Sequence, residues 1–457
     1  MPAVEFNPAG IKVDVPEGTE LLDAATRAGV SIQAPCGGKG TCGKCAVRIV
    51  SGTPVVRQEG AKIAGLREGE VLACRAAVGA DDLIVEVPEH RLAADDRPDE
   101  QEISPALSAV LTSSSRTSLS EIVTLTLPEP GMDDGISDLE RVARELKKTV
   151  PGYTGDVDVM PDTMRKLPDA LREQNMNITV SCCNEGGRVF VADVNSGTRR
   201  SHYGIAIDLG TTSISVRCVD LDSGKVLSTM SGYNGQVACG LDVISRIQYG
   251  KSRERLDDLR SRALETIHRL TGEITSSLGI SHSDIHSAVV SGNTVMIHLL
   301  LGIKAEYLRI APYTPAVMNV PPMRAKDAGL EIHPGAMVYF SPAVGSYVGG
   351  DITAGMLAAP IDSSDAVNMF IDIGTNGELV VGNSDFLLAC ACSAGPAFEG
   401  GGIGCGMRAT RGAVNGVNVD RETGAADVRV IDDVKPEGIC GSGIIDLMAE
   451  LFLKGFL

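Results

Sequence analysis

The chain has 457 residues, of which 43% are hydrophobic and 22% charged, with a formal net charge of -18. That length exceeds what one hydrophobic core organises, so about two to four domains are expected, and the acidic balance argues against nucleic acid or an anionic membrane as a partner. Twelve cysteines are too sparse for a disulfide scaffold, and no Lys/Arg-led apolar segment opens the chain, which predicts a cytoplasmic protein whose clustered cysteines mean metal. The longest apolar stretch, residues 288–303, is interrupted by Ser291, Gly292, Asn293 and His298 and is not a membrane span.

Residues 1–88 read as one compact unit. Residues 4–7 and 11–15 alternate around Pro8-Ala9-Gly10 and predict a hairpin. Thr19 is the expected N-cap of a short helix over 21–28, which Gly29 stops, and residues 46–50 and 83–87 read as further strands. Between them Cys36, Cys42 and Cys45 form C-x5-C-x2-C in a loop rich in glycine, including Gly37, Gly38, Gly40 and Gly43. Iron prefers soft, charged sulfur, and the glycines let the loop curl so that backbone N–H groups reach the sulfurs, so the pattern predicts a [2Fe–2S] cluster. The alternatives are buried thiols or a zinc site, and the x5 spacing and glycine density weigh against zinc. Cys74 is the one later cysteine before residue 89 and is the expected fourth ligand. The order of hairpin, helix, cluster loop and closing strands resembles the β-grasp of plant-type ferredoxins, with the x5 rather than the x4 form of the motif.

Residues 89–104 are charged and Pro-containing, as a solvated linker would be. Residues 105–200 predict a small α+β connecting domain: a strand over 121–127, a helix over 136–148 starting near Ser137 or Asp138, and strands over 178–182 and 188–194 flanking the hairpin turn Asn184-Glu185-Gly186-Gly187.

Residues 201–457 begin with three expected strands, at 205–208, 214–220 and 226–231, followed by one long helix over 242–278, a strand over 288–291 and a helix through Leu301. The charge run 251–262 reads as a solvated helix face. An internal repeat then stands out. Ile205-Ala206-Ile207-Asp208-Leu209-Gly210-Thr211-Thr212 returns 164 residues later as Met369-Phe370-Ile371-Asp372-Ile373-Gly374-Thr375-Asn376. Two copies at domain-sized spacing predict two similar lobes facing a cleft. In each, Gly210 or Gly374 lets the backbone approach a phosphate, and Thr211 and Thr212, or Thr375 and Asn376, offer N–H and polar side-chain groups to its oxygens. Asp208 and Asp372, at the strand ends, are the expected catalytic carboxylates, holding Mg²⁺ through water or polarising an attacking water. Gly441, Ser442 and Gly443 open a helix, either as a plain helix start or suited to adenosine or ribose contact. There is no G-x4-G-K-[ST], and the glycine run 400–406 does not match G-x-G-x-x-G.

The paired Asp-x-Gly-Thr turns resemble the phosphate motifs of the actin, heat-shock chaperone and sugar kinase superfamily, and residues 441–443 its adenosine motif. The resemblance implies a two-lobed ribonuclease-H-like, actin-like ATPase domain binding ATP with Mg²⁺, and places a connecting helix within 342–355. Asp351 is expected there as a helix N-cap, the alternative being contact with Mg²⁺ or water, and Glu378 either reaches the nucleotide or faces solvent. Cys182, Cys183, Cys218, Cys239, Cys390, Cys392, Cys405 and Cys440 read as buried small apolar side chains, and His282, His286 and His298 as surface or core residues.

The cysteine spacing, residues 208–212, 291–294, 372–378 and 394–400 together resemble the reductive activators of corrinoid proteins. That resemblance implies ATP-dependent return of a Co(II) corrinoid protein to Co(I) for methyl transfer, a low-potential electron donor and a homodimer. Family members continue beyond Leu457, so the C-terminal lobe is expected to be truncated. Two rivals are an ATP-driven electron donor to another low-potential enzyme and a non-catalytic redox sensor with a nucleotide-binding lobe.

Overall fold

The computed structural model describes residues 1–8, 10–30, 32, 40, 43, 45–56, 66, 69–88, 120–153, 157–199, 201–240, 242–359, 361–374, 376–392, 405–407, 409 and 411–457. In the first unit, β1 (Ala3–Asn7) and β2 (Ile11–Asp14) form the expected hairpin, followed by α1 (Leu21–Arg27), β3 (Ala46–Ser51), β4 (Val55–Val56), β5 (Glu70–Leu72), β6 (Ala76–Ala77) and β7 (Leu83–Glu86). The sheet order is β2-β1-β7-β3-β5, with β1 parallel to β7, and β4 and β6 pair separately. Phe6, Val47, Leu83 and Val85 meet Leu21, Ala24 and Ala25 of α1 in one core. Thr19 is not the N-cap: its hydroxyl donates to Pro16 O at 2.7 Å, and Glu20 leads the helix with no side-chain cap bond.

The second unit comprises β8 (Glu121–Thr126), α2 (Asp138–Thr149), β9 (Val157–Val159), α3 (Pro161–Glu173), β10 (Asn177–Glu185) and β11 (Arg188–Ser196), in the sheet order β8-β10-β11-β9. Ser137 caps α2 through a capping box with Glu140. This unit is fastened to the next one by Arg324, which reaches Asp158 Oδ1 at 3.2 Å and lies 5.5 Å from the Phe190 ring centroid.

The first lobe of the repeat is built from β12 (Tyr203–Leu209), β13 (Ser213–Asp220), β14 (Val226–Tyr233), α4 (Val243–Tyr249), α5 (Arg253–Leu278), β15 (Ile285–Gly292), α6 (Thr294–Leu300), β16 (Met323–Arg324), α7 (Ala325–Ala328) and β17 (Met337–Phe340). Its sheet runs β14-β13-β12-β15-β17-β16, so β12 is central, antiparallel to β13 and parallel to β15. The single helix expected over 242–278 is two. Gly250 closes α4, and Ser252 starts α5 afresh by accepting the Arg255 N–H. Leu256, Leu259, Ala263, Ile267 and Leu270 of α5 share a core with Ile205, Ile207 and Leu209 of β12. The charge run is solvated at Arg253 and Asp257 but not at Arg262, which is 15% exposed and paired with Asp23 and Asp258.

In the second lobe α8 (Gly350–Ala358) precedes β18 (Asn368–Ile373), β19 (Gly377–Gly382) and β20 (Leu387–Cys392), an antiparallel sheet in that order. A separate sheet, β22-β21-β23, is made by β21 (Ala413–Val419), β22 (Ala426–Val430) and β23 (Gly438–Ile439), and α9 (Gly441–Lys454) packs on β21. One face of β18–β20 sets Phe370 and Val380 against Ile352 of α8. The other face, with Met369, Ile371, Ile373, Leu388, Cys390 and Cys392, is exposed. Hence Cys390 and Cys392, with Cys405, are not the buried side chains expected of them, while Cys182, Cys183, Cys218 and Cys440 are. Among the described residues no helix is long and apolar enough to cross a membrane.

Candidate functional site

Two sites emerge. In the first unit, β3 and β5 pair with Ala46 opposite Leu72, which brings Cys45, just before β3, beside Cys74, just after β5. The Ala73 N–H donates to Cys45 O at 2.9 Å and locks that approach. The two sulfurs lie 3.3 Å apart and are 0% and 2% exposed. That separation is too long for a disulfide, whose sulfurs sit about 2.05 Å apart, and suits thiolates converging on one iron centre. Cys36 and Cys42 lie outside the described residues. Among the described residues the donor set is the paired sulfurs of Cys45 and Cys74, the soft donors a [2Fe–2S] cluster needs.

The second site is a cleft of about 820 Å³ between the repeat's two turns, lined by Asp208, Gly210, Thr211, Thr212, Asn293, Asp351, Asp372, Gly374, Asn376 and Glu378 among others. Thr375 lies outside the described residues. Gly210 has no alternative: a Cβ there would meet Ser213 O at 2.5 Å. The Thr211 hydroxyl accepts from Asn293 Nδ2 at 3.1 Å, and Asn293 also caps α6. Asn234 Nδ2 donates to Gly210 O at 2.9 Å, and the buried Arg246 guanidinium donates to Thr211 O. Sequence reasoning named neither Asn234 nor Arg246 and used Asn293 only as part of a motif. A polar residue fixing a turn from a distant element leaves no local signature.

Asp351 and Glu378 differ from expectation in instructive ways. Asp351 is not the N-cap of α8; Gly349 is. A Cβ on Gly349 would lie 2.3 Å from Asn293 Cα, so only glycine fits where α8 begins against α6. Asp351 then falls in the first turn with its carboxylate lining the cleft. Glu378 is opposite Asp372 across β18 and β19, where the first lobe has Ser215 opposite Asp208, so the second turn is one residue shorter. It is 7% exposed and faces the cleft, not solvent.

The cleft's electrostatics are those of carboxylates raised by burial and by one another. Burial, then the charges of Asp351 and Asp372, pushes Glu378 up to about 7. Burial chiefly, with Asp372 and Asp208 adding to it, pushes Asp351 up to about 6. Asp208 is raised by burial and by Asp372, with Arg217 opposing. Among the described residues no three acidic, His or Cys groups close on one point. Such spread oxygen donors fit Mg²⁺, which keeps its waters and completes its shell with phosphate oxygens. Gly441, Ser442 and Gly443 do not line the cleft. They start α9, where a Cβ on Gly443 would meet Val414 O at 2.2 Å, so that glycine is explained by packing on β21. The thiols of Cys182 and Cys183 are pushed up by burial to about 12 and about 11, as inert core groups are.

Comparison with known proteins identifies the units that carry these two sites. Residues 4–79 match the 2Fe-2S iron-sulfur cluster binding domain, 112–201 the RACo linker region, 203–364 the RACo middle region and 366–457 the C-terminal domain of RACo, the ASKHA domain. The chain is 30% identical over 452 residues to the corrinoid activation enzyme RamQ of Eubacterium limosum, covering 98% of this chain and 70% of that one. It is 27% identical over 286 residues to the [Co(II) methylated amine-specific corrinoid protein] reductase of Methanosarcina barkeri, covering 56% and 51%. Among solved structures, the reductive activator for corrinoid, iron-sulfur protein superposes with a TM-score of 0.66 at 40% identity, covering all of this chain and 73% of that one.

Proposed function

The chain belongs to the family of reductive activators of corrinoid proteins, and from that premise we propose that it carries out ATP-dependent reduction of a corrinoid protein partner from Co(II) to Co(I), the state needed for methyl transfer. Cys36, Cys42, Cys45 and Cys74 would hold the [2Fe–2S] cluster, which would provide the single electron, and ATP with Mg²⁺ would provide the drive. The drive is needed because plant-type clusters sit near about -400 mV and Co(I) is a very strong reductant. Each ~59 mV of uphill gap costs about tenfold for one electron.

The chain's own residues divide the work. Gly210, Thr211 and Thr212 on one side, and Gly374, Thr375 and Asn376 on the other, present N–H and polar groups to the phosphates. Asn234 and Asn293 hold the first turn in shape. Asp208 and Asp372 would hold Mg²⁺, and the carboxylate of Glu378 would take a proton from an attacking water. The start of α9 carries no assigned role. Residues 1–88 act as the ferredoxin-type domain, 105–200 as the connector after the linker 89–104, and 201–457 as the ATPase part. A separate low-potential donor refills the cluster, the working form is a homodimer, and the setting is the cytoplasm.

The observation that carries this reading is the coexistence, in one chain, of a buried sulfur pair and a carboxylate-lined cleft between repeated turns. The test mixes the reduced chain with a Co(II) corrinoid protein and follows the Co(I) absorption band. Yield should rise with MgATP. Asp208→Ala should lower ATP hydrolysis by about 10²–10³, in the range for loss of one transition-state contact, and leave the cluster's EPR signal intact. Equal Co(I) yield with and without ATP sinks the coupling.

A further inference from the structure

Asp23 lies on α1 of the ferredoxin-type unit and Arg262 on α5 of the first lobe. Arg262 Nη1 donates to Asp23 Oδ1 at 2.5 Å, with the side chains 15% and 17% exposed. The Nε of Arg262 also engages both Asp258 oxygens at 3.0 and 3.1 Å, and Asp258 accepts from the Tyr249 hydroxyl at 2.8 Å. A guanidinium clamped between two carboxylates is fixed in position as a surface pair is not. Beside it, α1 packs on the 3₁₀ turn Gly235–Cys239.

That turn is one residue from the phosphate site. The Gly235 N–H donates to Thr266 Oγ1 at 3.1 Å, and Thr266 in turn donates to the carbonyl of Arg262 at 2.9 Å. Asn234 holds the phosphate turn twice, through Nδ2 to Gly210 O and through its N–H to Thr212 O, both at 2.9 Å. On the ferredoxin side, the Leu22 N–H donates to Ala73 O at 3.1 Å, and Ala73 lies between Cys74 and its bond to Cys45 O. One ion pair therefore joins two short hydrogen-bonded chains, one ending at a cluster cysteine and the other at the phosphate turn.

Building on the function proposed above, we propose that α5 and the 235–239 turn form a docking surface for the chain's own ferredoxin unit, latched by Asp23–Arg262, and that latching and nucleotide binding at residues 210–212 are thermodynamically coupled. The linkage is reciprocal: the factor by which a bound phosphate changes the latch is the factor by which closing the latch changes phosphate affinity. In the docked state the ferredoxin unit is parked; in the released state it is free to meet a partner.

The test is a double-mutant cycle in the full, iron-loaded chain with Asp23→Asn, Arg262→Gln and the pair. It reads the affinity for a non-hydrolysable MgATP analogue and hydrogen exchange of the 235–239 amides. Each single change should shift the dissociation constant by about fivefold or more, the low end of coupling between sites, and speed exchange, while the pair does no more than either alone. Arg27→Gln, which removes only the partner of Asp23 within α1, should leave both readouts as in wild type. If Arg262→Gln does not fold, Arg262→Lys keeps the charge without the fork and should still shift the affinity. Wild-type affinity in the single variants, or effects that multiply in the pair, overturns the proposal. Co(II) reduction measured in parallel separates the two readings. A cycle as expected without Co(I) formation keeps the latch and removes the activator role, and a flat cycle with normal Co(I) formation does the reverse.

Discussion

Ile205, Ile207 and Leu209 on β12 and Met369, Ile371 and Ile373 on β18 are equivalent positions of one repeated motif. The first three are 3%, 2% and 0% exposed, and the second three 59%, 52% and 65%. In the first lobe α5 lies over that face and β15 pairs along the strand's edge. In the second lobe, among the described residues, β18 has β19 on one side only and no helix over the face. The inner faces, by contrast, match: both strands deliver an aspartate to the same cleft. An alternating apolar strand thus fixes which side wants cover and which side carries chemistry. It does not say where the cover comes from.

The contrast can be broken or sharpened by substitution. The largest difference is expected at the outer faces. Ile207→Ala should cost about 2–5 kcal/mol, as core truncations do, and Ile371→Ala no more than about 0.5 kcal/mol, as at open surface sites. Urea midpoints of the two variants decide it, and similar losses would mean that β18 is covered in solution. The turns come next. Gly210→Ala places a methyl 2.5 Å from Ser213 O, whereas at Gly374 the nearest contact is 3.7 Å away. The first change should therefore cost about 1–3 kcal/mol through overpacking, and the second should leave the thermal midpoint near wild type. The smallest effect is a pH slope. Glu378 is raised from 4.5 to about 7, so the folded chain holds a proton that the unfolded chain has released. Stability from this group falls as pH rises from about 4.5 to about 7, by less than about 1.4 kcal/mol per pH unit. Glu378→Gln should flatten that stretch of the stability profile relative to wild type; a steeper fall in the variant would contradict the assignment.

The parts legible in the sequence were those written in adjacent residues. The close spacing of cysteines and glycines marks the iron-sulfur domain, and the repeat marks both turns, because strand, glycine and acid follow one another directly. What was not legible depends on meetings between distant elements. Nothing local distinguishes Arg262 from Arg253, yet one is clamped between units and the other lies in solvent. Asp351 read as a cap because acids are common there, but the approach of α8 to α6 left room only for Gly349. Glu378 faces the cleft because the second turn is one residue shorter than the first, which is visible only once strand register is known. The break between α4 and α5 follows from Gly250 and the capping Ser252, whose combined effect outweighed the helical periodicity around them.

Among the described residues, one side of β18 has neither a pairing strand nor a covering helix, which has a colloidal consequence. An unpaired strand rim joined to an apolar surface is a template on which a second copy can extend the sheet. Concentrated or gently heated samples of this chain should therefore lose material to intermolecular association, beginning at Met369, Ile371 and Ile373, before the first lobe melts.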